Sequence, residues 1–322
     1  MKRVCAALAL WCCAAVPALA QDRAQLPVVG VLRIDTTSNV APFAGMLRDA
    51  LAALGYVDGK NLRLDFRLTE GDVGRLPALA EALVREKVSL IYAAGPAAAR
   101  AAQSATRTIP IVATGSDLVT SGLIASLAKP GGNITGVSLL IPELDAKRLE
   151  VLKEILPSGL RFGLVSDPAT SESVGLKAIV ETARALNVEL QTAEVRSPAE
   201  LPAAFSSLRV WGAEGVNILS SPLLFSLHKQ LGELLLADKL AGICEWREMA
   251  ASGCLASYGT TLRELVAIVA ALTGKILKGA LPRDMPAQQP TKFELVLNLK
   301  VAREIGVAIP PAILGRADEV IE

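Results

Sequence analysis

Short apolar runs alternate with longer amphipathic segments along the first part of the chain. The runs are typical of strands buried on both faces, and the segments between them repeat apolar residues every three or four positions, as helices do. The predicted strands are 27–34, 61–68, 88–95 and 109–115, and the predicted helices are 41–55, 76–87 and 96–106. This β-α-β-α-β order predicts a parallel sheet with helices on both faces.

The same alternation restarts near residue 134 and continues to residue 259. The predicted strands are 134–140, 160–168, 188–195, 215–222, 240–246 and 253–259, and the predicted helices are 144–157, 175–187, 201–212 and 224–238. No low-complexity linker separates the two α/β blocks. About 300 residues exceed the comfortable size of one hydrophobic core, so we expect two domains.

The ends of the predicted strands are rich in small, polar or glycine residues. These ends are 33–38, 93–98, 113–118, 165–170, 219–224 and 256–261. Ligands of open α/β sheets bind just beyond the carboxyl ends of the strands. We therefore expect backbone N–H groups and hydroxyls from both blocks to face one shared cleft.

The first twenty residues have the pattern of a secretory signal peptide. Lys2 and Arg3 precede an uncharged apolar run, and Ala18-Leu19-Ala20 forms a small-x-small cleavage site before Gln21. A lipoprotein anchor is disfavoured because neither Cys12 nor Cys13 follows a small residue. The sequence thus predicts a periplasmic protein released through a cleavable signal peptide.

Removal of this segment leaves 31 basic and 32 acidic residues, a formal net charge of −1. The charges are interspersed, which gives no basic patch for nucleic acid or anionic lipid. Cys5, Cys12 and Cys13 would be lost with the signal peptide, so that Cys244 and Cys254 remain. These two could form a disulfide in an oxidising compartment or stay as a buried free pair.

The chain carries few groups suited to catalysis or metal binding. The single histidine, His228, is expected on a helix surface, and no Gly-x-Ser-x-Gly motif, Walker motif or Gly-x-Gly-x-x-Gly motif occurs. The carboxylate pairs Glu143/Asp145 and Asp318/Glu319 are expected at helix starts or on the surface. We therefore predict no catalytic residue, no cofactor and no metal site.

The stretch KPGGNITGVS, residues 129–138, has glycines that superficially suggest a phosphate-binding loop. A phosphate-binding loop would follow a strand and open a helix, whereas these glycines precede a strand. We expect them to form a tight turn after a helix over 120–128, and Gly136 to mark a close approach of two backbones. Asn133-Ile134-Thr135 forms a glycosylation sequon, to which we assign no role in a bacterial host.

Five stretches resemble the bacterial ABC-transporter substrate-binding proteins related to tryptophan and tyrosine uptake receptors. They are 55–67, 93–112, 116–138, 245–259 and 289–322, and the last two blocks at the chain's end are the most specific. The resemblance implies a type I periplasmic-binding-protein fold, in which two α/β lobes joined by three crossings close over a small ligand. It also implies a monomer that delivers its ligand to a membrane permease and its ATPase.

The resemblance implies a specific division of the chain. The first lobe would contain 27–137 plus about 261–285, and the second 138–260 plus about 286–322. The expected function is an extracytoplasmic solute-binding protein for an amino acid-like ligand, with aromatic amino acids as the family-level expectation. Two alternatives remain open at this point: a secreted α/β enzyme acting on a small molecule, and a receptor that feeds a signalling kinase.

The strand ends supply the candidate ligand-binding residues. A ligand carboxylate could bind at 36–38 or 95–98, where helix N-termini offer N–H groups. A ligand ammonium needs a carboxylate, for which Asp117 and Asp167 are candidates, and Asp117→Ala would then abolish binding of an amine-bearing ligand. Capping or turn formation is the alternative for both aspartates, and core packing is the alternative for Tyr258. The full candidate set is Thr36, Thr37, Ser38, Gly95, Pro96, Ala97, Ser116, Asp117, Ser138, Asp167, Ser220, Glu245 and Tyr258.

Overall fold

A computed structural model describes residues 26–170 and 173–322, with the side chains of 173–175 left undescribed. The predicted signal peptide, residues 1–20, lies outside the described residues. Two separate sheets form within the described ranges. The α/β class with two sheet-based lobes is therefore confirmed.

The first sheet has five parallel strands in the order β2-β1-β3-β4-β5. Its strands are β1 Val28–Arg33, β2 Arg63–Leu68, β3 Leu90–Ala94, β4 Ile111–Gly115 and β5 Ile134–Ser138. Three helices connect its first four strands: α1 Ala41–Ala52, α2 Leu76–Arg85 and α3 Pro96–Ala105. Every residue of β3, β4 and β5 is buried, which follows from their apolar composition and their cover of helices on both faces.

The second sheet has seven strands in the order β12-β11-β10-β9-β8-β6-β7. They are β6 Arg161–Ser166, β7 Glu189–Glu194, β8 Gly215–Ile218, β9 Ala241–Cys244, β10 Ala256–Gly259, β11 Glu294–Asn298 and β12 Glu319–Ile321. The strands β6 to β10 are parallel, whereas β11 runs antiparallel to β10. Residues 289–322 form β11, β12 and two short helices, none of which was predicted from the apolar periodicity.

The remaining helices lie mainly against the second sheet. They are α4 Ile141–Ile155, α5 Ser173–Ala185, α6 Leu201–Trp211, α7 Pro222–Ser226, α8 His228–Ala237, α9 Arg247–Ala251, α10 Leu262–Leu277, α11 Leu299–Ile305 and α12 Pro311–Leu314. The predicted helix over 224–238 is present but begins at Pro222 and is interrupted at Leu227. Helix α10 is the exception in this group, because it packs against α1, β3 and β5 of the first sheet.

The chain passes between the sheets three times. It leaves the first sheet after β5, at residues 139–140, and returns between β10 and α10, at residues 260–261. The final passage lies near 289–293, because Gln288 still pairs with the first sheet through bonds to Gly136 and Ser138 of 2.8 and 2.9 Å. We call the β1–β5 unit with α1, α2, α3 and α10 the first lobe, and the β6–β12 unit with its helices the second lobe.

The helix predicted over 120–128 does not form, and that prediction was wrong. The segment consists of turns and bends, and Gly122 has a left-handed φ of 71°. The backbone N–H groups of Leu123 and Ile124 both lie 3.1 Å from the carbonyl oxygen of Leu118, which closes a loop instead of continuing a helix. Both side chains are buried, so their apolar spacing reflects packing of a loop and not helical periodicity.

The prediction of a close backbone approach at Gly136 is confirmed. A Cβ atom at this position would lie 1.8 Å from the carbonyl oxygen of Ala113 in β4, so no other residue fits without movement of the strand. The side-chain amide of Asn133 donates to the carbonyl oxygen of Ile109 at 2.8 Å. The sequon asparagine therefore has a structural role in holding the entry to β5.

The two remaining cysteines, Cys244 and Cys254, are buried free thiols. Burial raises the pKa of the Cys244 thiol well above its ordinary value, so it stays protonated at neutral pH. Its Sγ lies 3.2 Å from the carbonyl oxygen of Ala256 on the adjacent strand. Of the two arrangements expected from sequence, the structure contains the free pair.

Candidate functional site

A cleft lies between the two lobes, at the carboxyl ends of β1, β3, β4, β6, β8 and β9. Its atom-free space, counted together with its mouth, is about 680 Å³. Most of its exposed lining is apolar, with a few polar groups supplied from each side. This combination of an apolar cavity and a small number of convergent polar groups is typical of small-molecule sites.

The wall formed by the first lobe contains a charged group, Arg33, at the end of β1. Its guanidinium lies 3.9 Å from the ring centroid of Phe43 and donates to Asp35 Oδ2 at 3.2 Å. Tyr92 lies beside it, and burial raises the pKa of its phenol, which keeps the hydroxyl protonated. Since Asp35 neutralises Arg33, this wall presents a paired cation with donors left free for a ligand.

The N-terminus of α3 also lies on this wall, through Gly95 and Pro96. Gly95 has a φ of 96°, which only glycine adopts without strain, and no side chain caps the helix. The first N–H groups of a helix have no partner within the helix and carry a partial positive charge. The arrangement therefore favours an anionic or carbonyl group of a ligand at this point.

The wall formed by the second lobe combines aromatic and hydroxyl groups. Trp246 follows β9 and Phe225 belongs to α7, and their rings meet edge to face with centroids 6.1 Å apart. Ser221 and Thr170 lie after β8 and β6, and both donate to the carboxylate of Asp167, at 2.8 and 3.2 Å. Asp167 thus fixes two hydroxyls of the wall, although it does not line the cleft itself.

Behind this wall lies a buried ion pair between Asp145 and Arg148 of α4. The Arg148 side chain is fully buried, and it donates to Asp145, to Ser220 Oγ at 2.6 Å and to the carbonyl oxygen of Tyr258 at 2.8 Å. The expectation that Asp145 lies on the surface was wrong, because its residue is only 4% exposed. The two charges lie on the apolar stripe of α4 that continues through Leu152, which is the signal that could have revealed the pair.

Glu245 lies at the end of β9 on the second-lobe wall and is 5% exposed. Its Oε1 atom has no hydrogen-bond partner among the described residues. Burial raises the pKa of this carboxyl to about 7, the cation of Arg148 acts in the opposite direction, and the charge of Asp145 raises it further. The cleft thus contains a buried carboxyl group that is poised between its neutral and ionised forms at neutral pH.

Five of the thirteen candidate residues line the cleft. They are Gly95, Pro96, Ser116, Ser220 and Glu245. Each lies within two residues of the end of a strand, as the strand-end argument requires. Other lining residues were not in the candidate set, and those with charged or aromatic side chains are Arg33, Tyr92, Phe225 and Trp246.

The other candidates lie outside the cleft lining for identifiable reasons. Asp117 Oδ1 accepts the N–H groups of Val119 and Thr120 at 2.8 and 3.3 Å, so it caps a turn. Thr37 donates its hydroxyl and its N–H to Glu70 at an exposed edge, with Thr36 and Ser38 bonded to each other.

Three further candidates are placed by packing. Ser138 is buried in β5 under the cleft, with its hydroxyl 3.5 Å from the carbonyl oxygen of Ser116. Tyr258 is half-buried beside Phe293, with ring centroids 6.4 Å apart. Ala97 lines a separate open depression on the surface, next to Ala101.

His228 is not a plain surface residue, so that expectation was wrong. It is half-buried, its Nδ1 lies 2.8 Å from Ser252 Oγ, and its ring stacks on Phe225 at 5.8 Å. Burial and the neighbouring Lys229 lower the pKa of the imidazole, which is therefore neutral at neutral pH. The ring supports Phe225 from behind and gives the aromatic wall its position.

No group of three or more His, Cys, Asp or Glu side chains within 26–170 and 173–322 could hold a metal ion. No helix in the same ranges is both long and apolar enough to cross a membrane.

Comparisons with known proteins agree with this architecture. A curated relative, a tyrosine-binding protein of Clostridioides difficile (strain R20291), is 29% identical over 251 residues, which are 77% of this chain and 72% of that protein. An L-Trp complex from Streptococcus pneumonia is similar with a TM-score of 0.81 at 25% identity, covering 92% of this chain and 99% of that one.

A second solved structure is the ligand-free, open form of a substrate-binding protein with adhesive properties from Clostridium difficile. It is similar with a TM-score of 0.62, again at 25% identity and with the same 92% and 99% coverage. These likenesses confirm the two-lobed type I periplasmic-binding-protein fold. The family model for ABC transporter substrate binding proteins matches residues 29–321, and the chain belongs to that family.

Proposed function

We propose that this protein is the extracytoplasmic receptor of an ABC importer and captures an aromatic amino acid between its two lobes. The observation that carries the proposal is the cleft itself, whose walls come from both lobes and combine aromatic rings with a few polar groups. A ligand that contacts both walls stabilises the closed arrangement through those shared contacts. Closure would then present the loaded receptor to a membrane permease.

The apolar part of the cleft suits an aromatic side chain. Trp246 and Phe225 form one side, and Leu262 and Leu265 of α10 form another. Aromatic rings pack favourably in edge-to-face or offset geometry against such walls. Two similar proteins support this ligand class, since one is named a tyrosine-binding protein and the other was solved in complex with L-Trp.

The first-lobe wall suits the ligand's carboxylate. Arg33 lines the cleft there, and the uncapped N-terminus of α3 begins beside it at Pro96. A guanidinium and helix N–H groups are the donors that proteins commonly use for a carboxylate. Ser116 adds a hydroxyl at the same end of the cleft.

The arrangement of the lobes supports capture by closure. At equal sequence identity and equal coverage, the chain is more similar to the L-Trp complex than to the ligand-free, open structure, with TM-scores of 0.81 and 0.62. The lobes also touch directly, since the side-chain amide of Asn39 donates to the carbonyl oxygen of Ser226 at 3.0 Å. Both observations support an arrangement of the lobes that resembles a ligand-bound form.

Location and delivery follow from the family and the N-terminal sequence. Substrate-binding proteins of ABC importers work outside the cytoplasm, and residues 1–20 have the features of a signal peptide that would place a monomeric receptor in the periplasm. The permease and its ATPase are the expected partners. Nothing in the balanced charge of the chain favours nucleic acid.

A thermal-shift screen tests the proposal. L-tyrosine, L-tryptophan and L-phenylalanine are compared with L-alanine and L-glutamate, and native mass spectrometry identifies any co-purified compound. A ligand at about 100 times its dissociation constant is expected to stabilise the protein by about 2.7 kcal/mol. No shift with any aromatic amino acid, or turnover of the stabilising compound, would overturn the proposal.

A further inference from the structure

The charges behind the second-lobe wall do not balance. Arg148 forms a direct ion pair with Asp145, and it partly offsets the rise in the pKa of Asp145 that burial causes. Glu245 lies close enough to feel both charges of this pair, but it forms no salt bridge among the described residues, and its Oε1 atom has no hydrogen-bond partner there. An ionised carboxylate in a buried position requires a partner, because burial without one is strongly unfavourable.

The unpaired oxygen of Glu245 is buried, and it belongs to a residue of the cleft lining. The residue lines the cleft, and Oε1 has no hydrogen-bond partner among the described residues although the side chain is almost fully buried. Arg33 stands on the opposite wall and is already paired with Asp35. The cleft therefore offers donors on its first-lobe side and one unsatisfied acceptor on its second-lobe side.

We propose that Glu245 determines ligand specificity by binding the protonated amine of the ligand through Oε1, and that capture at mildly acidic pH releases a proton from this residue. The inference rests on the proposed function and deepens it, because it defines the ligand class as amine-bearing zwitterions. An amino acid would span the cleft, with its carboxylate on the first lobe and its ammonium on the second. Neither lobe alone satisfies both groups.

The surroundings of Glu245 support the proton step. Charged or titratable groups face it from α4, from its own strand and from the opposite wall: Asp145, Arg148, Cys244, and the Arg33–Asp35 pair. Burial outweighs the attraction of Arg148 and raises the pKa of Glu245 to about 7, so the empty cleft holds a largely protonated carboxyl group below pH 7. An arriving ammonium requires the ionised form, and the proton leaves to solvent.

The first arm of the test compares ligands with and without the amine. Calorimetric titration uses L-tyrosine and 3-(4-hydroxyphenyl)propionate, which lacks the amine, with the wild-type protein and Glu245→Gln. The variant is expected to bind L-tyrosine about 10 to 100 times more weakly, because a charge-assisted bond is lost. Its affinity for the amine-free compound is expected to stay within about twofold or to improve.

The second arm follows the pH dependence. Wild-type affinity for L-tyrosine is expected to fall roughly twentyfold from pH 7.5 to pH 5.5, as the ionised fraction of a group with a pKa of about 7 falls. Glu245→Gln is expected to lose this dependence. Titrations in two buffers with different ionisation enthalpies should show proton release for the wild type at pH 6.

Glu233→Gln is the matched control, because Glu233 is exposed on α8 and the substitution is chemically the same. It is expected to leave both ligand preference and pH dependence unchanged. Melting curves of all variants establish that each is folded before titration.

The outcomes separate the two proposals. If the wild type binds aromatic amino acids but Glu245→Gln weakens both compounds equally, or retains the pH dependence, the role of Glu245 is wrong and the receptor function stands. If the wild type binds none of the three aromatic amino acids, the proposed function and this inference fall together.

Discussion

Glu245, which we propose as a ligand-binding residue, carries a cost for folding. Burial raises its pKa from 4.5 to about 7, so above pH 4.5 the unfolded chain releases a proton that the folded protein retains. Stability that is fully present below pH 4.5 is therefore lost as the pH rises towards 7. Such a cost at a cleft residue is typical of functional sites.

The cost predicts that Glu245→Gln stabilises the empty protein. Glutamine has the same shape and does not ionise, so the gain should be about 3 kcal/mol at pH 7.5 and below about 1 kcal/mol at pH 5. Urea unfolding at the two pH values measures it. A variant that is equally stable to the wild type at both pH values would contradict the raised pKa.

For Asp117, in contrast to Glu245, we expect a contribution to stability and none to ligand binding. Its carboxylate caps a turn through Val119 and Thr120 and does not line the cleft, so it is no longer our candidate for the ligand's amine. Asp117→Ala is expected to cost about 1 kcal/mol in stability and to leave affinity for L-tyrosine within about twofold. Loss of binding in a folded variant would return Asp117 to the site.

Individual site residues were predictable only where position along a strand decides exposure to the cleft. Gly95, Ser116 and Glu245 follow strands directly and were found in this way. Tyr92 lies within β3, where the pattern gives no sign that it reaches the cleft. Arg33 ends β1 and falls in the predicted strand end 33–38, but it was not among the candidates. Their role depends on how the second lobe meets the first, which is a tertiary property.

Strands and helices were predictable where apolar periodicity reflects burial in a regular element. The first four strands and α1, α2 and α3 follow this rule. The segment 120–128 does not, because its buried leucine and isoleucine belong to a loop that packs with helix-like spacing. The two charges of α4 were missed because charged residues were expected on the surface, although both fall on the apolar stripe of the helix.

Two glycines within residues 129–138 allow a matched test of how closely β4 and β5 pack. Gly136→Ala places a Cβ against the backbone of Ala113, whereas Gly132 has open space around its own Cβ position. Gly136→Ala is expected to destabilise the protein by several kcal/mol, and Gly132→Ala by less than about 1 kcal/mol. Equal stabilities of the two variants in denaturant unfolding would contradict the close pairing of β4 and β5.

At the scale of the whole molecule, Gly95 lies at a point where the two lobes meet. A Cβ added to Gly95 would lie 2.6 Å from Pro222 Cγ on the second lobe. Gly95 also begins α3 at the cleft, so any residue with a side chain would hold the lobes apart at the point where the ligand binds. We therefore expect a side chain at this position to oppose the closure that we propose.

Gly95→Ala is expected to weaken L-tyrosine binding at least about tenfold and to reduce the ligand-induced decrease in radius of gyration. The positive φ strains alanine in every state, but the clash with Pro222 arises only where the lobes meet. Gly122→Ala is the control, because Gly122 has a similarly positive φ but no atom within 4 Å of its Cβ position. Small-angle X-ray scattering with and without ligand measures closure. Identical compaction in Gly95→Ala and wild type would show that this contact does not limit closure.

The central claim is that an aromatic amino acid binds between the lobes, and a crystal structure grown with L-tyrosine tests it most directly. The account predicts density for one ligand in the cleft, with its ring against Trp246 and Phe225, its carboxylate near Arg33 and Pro96, and its amine within hydrogen-bond distance of Glu245 Oε1. Density for the amino acid elsewhere on the protein, or an empty cleft at saturating ligand, would contradict the account.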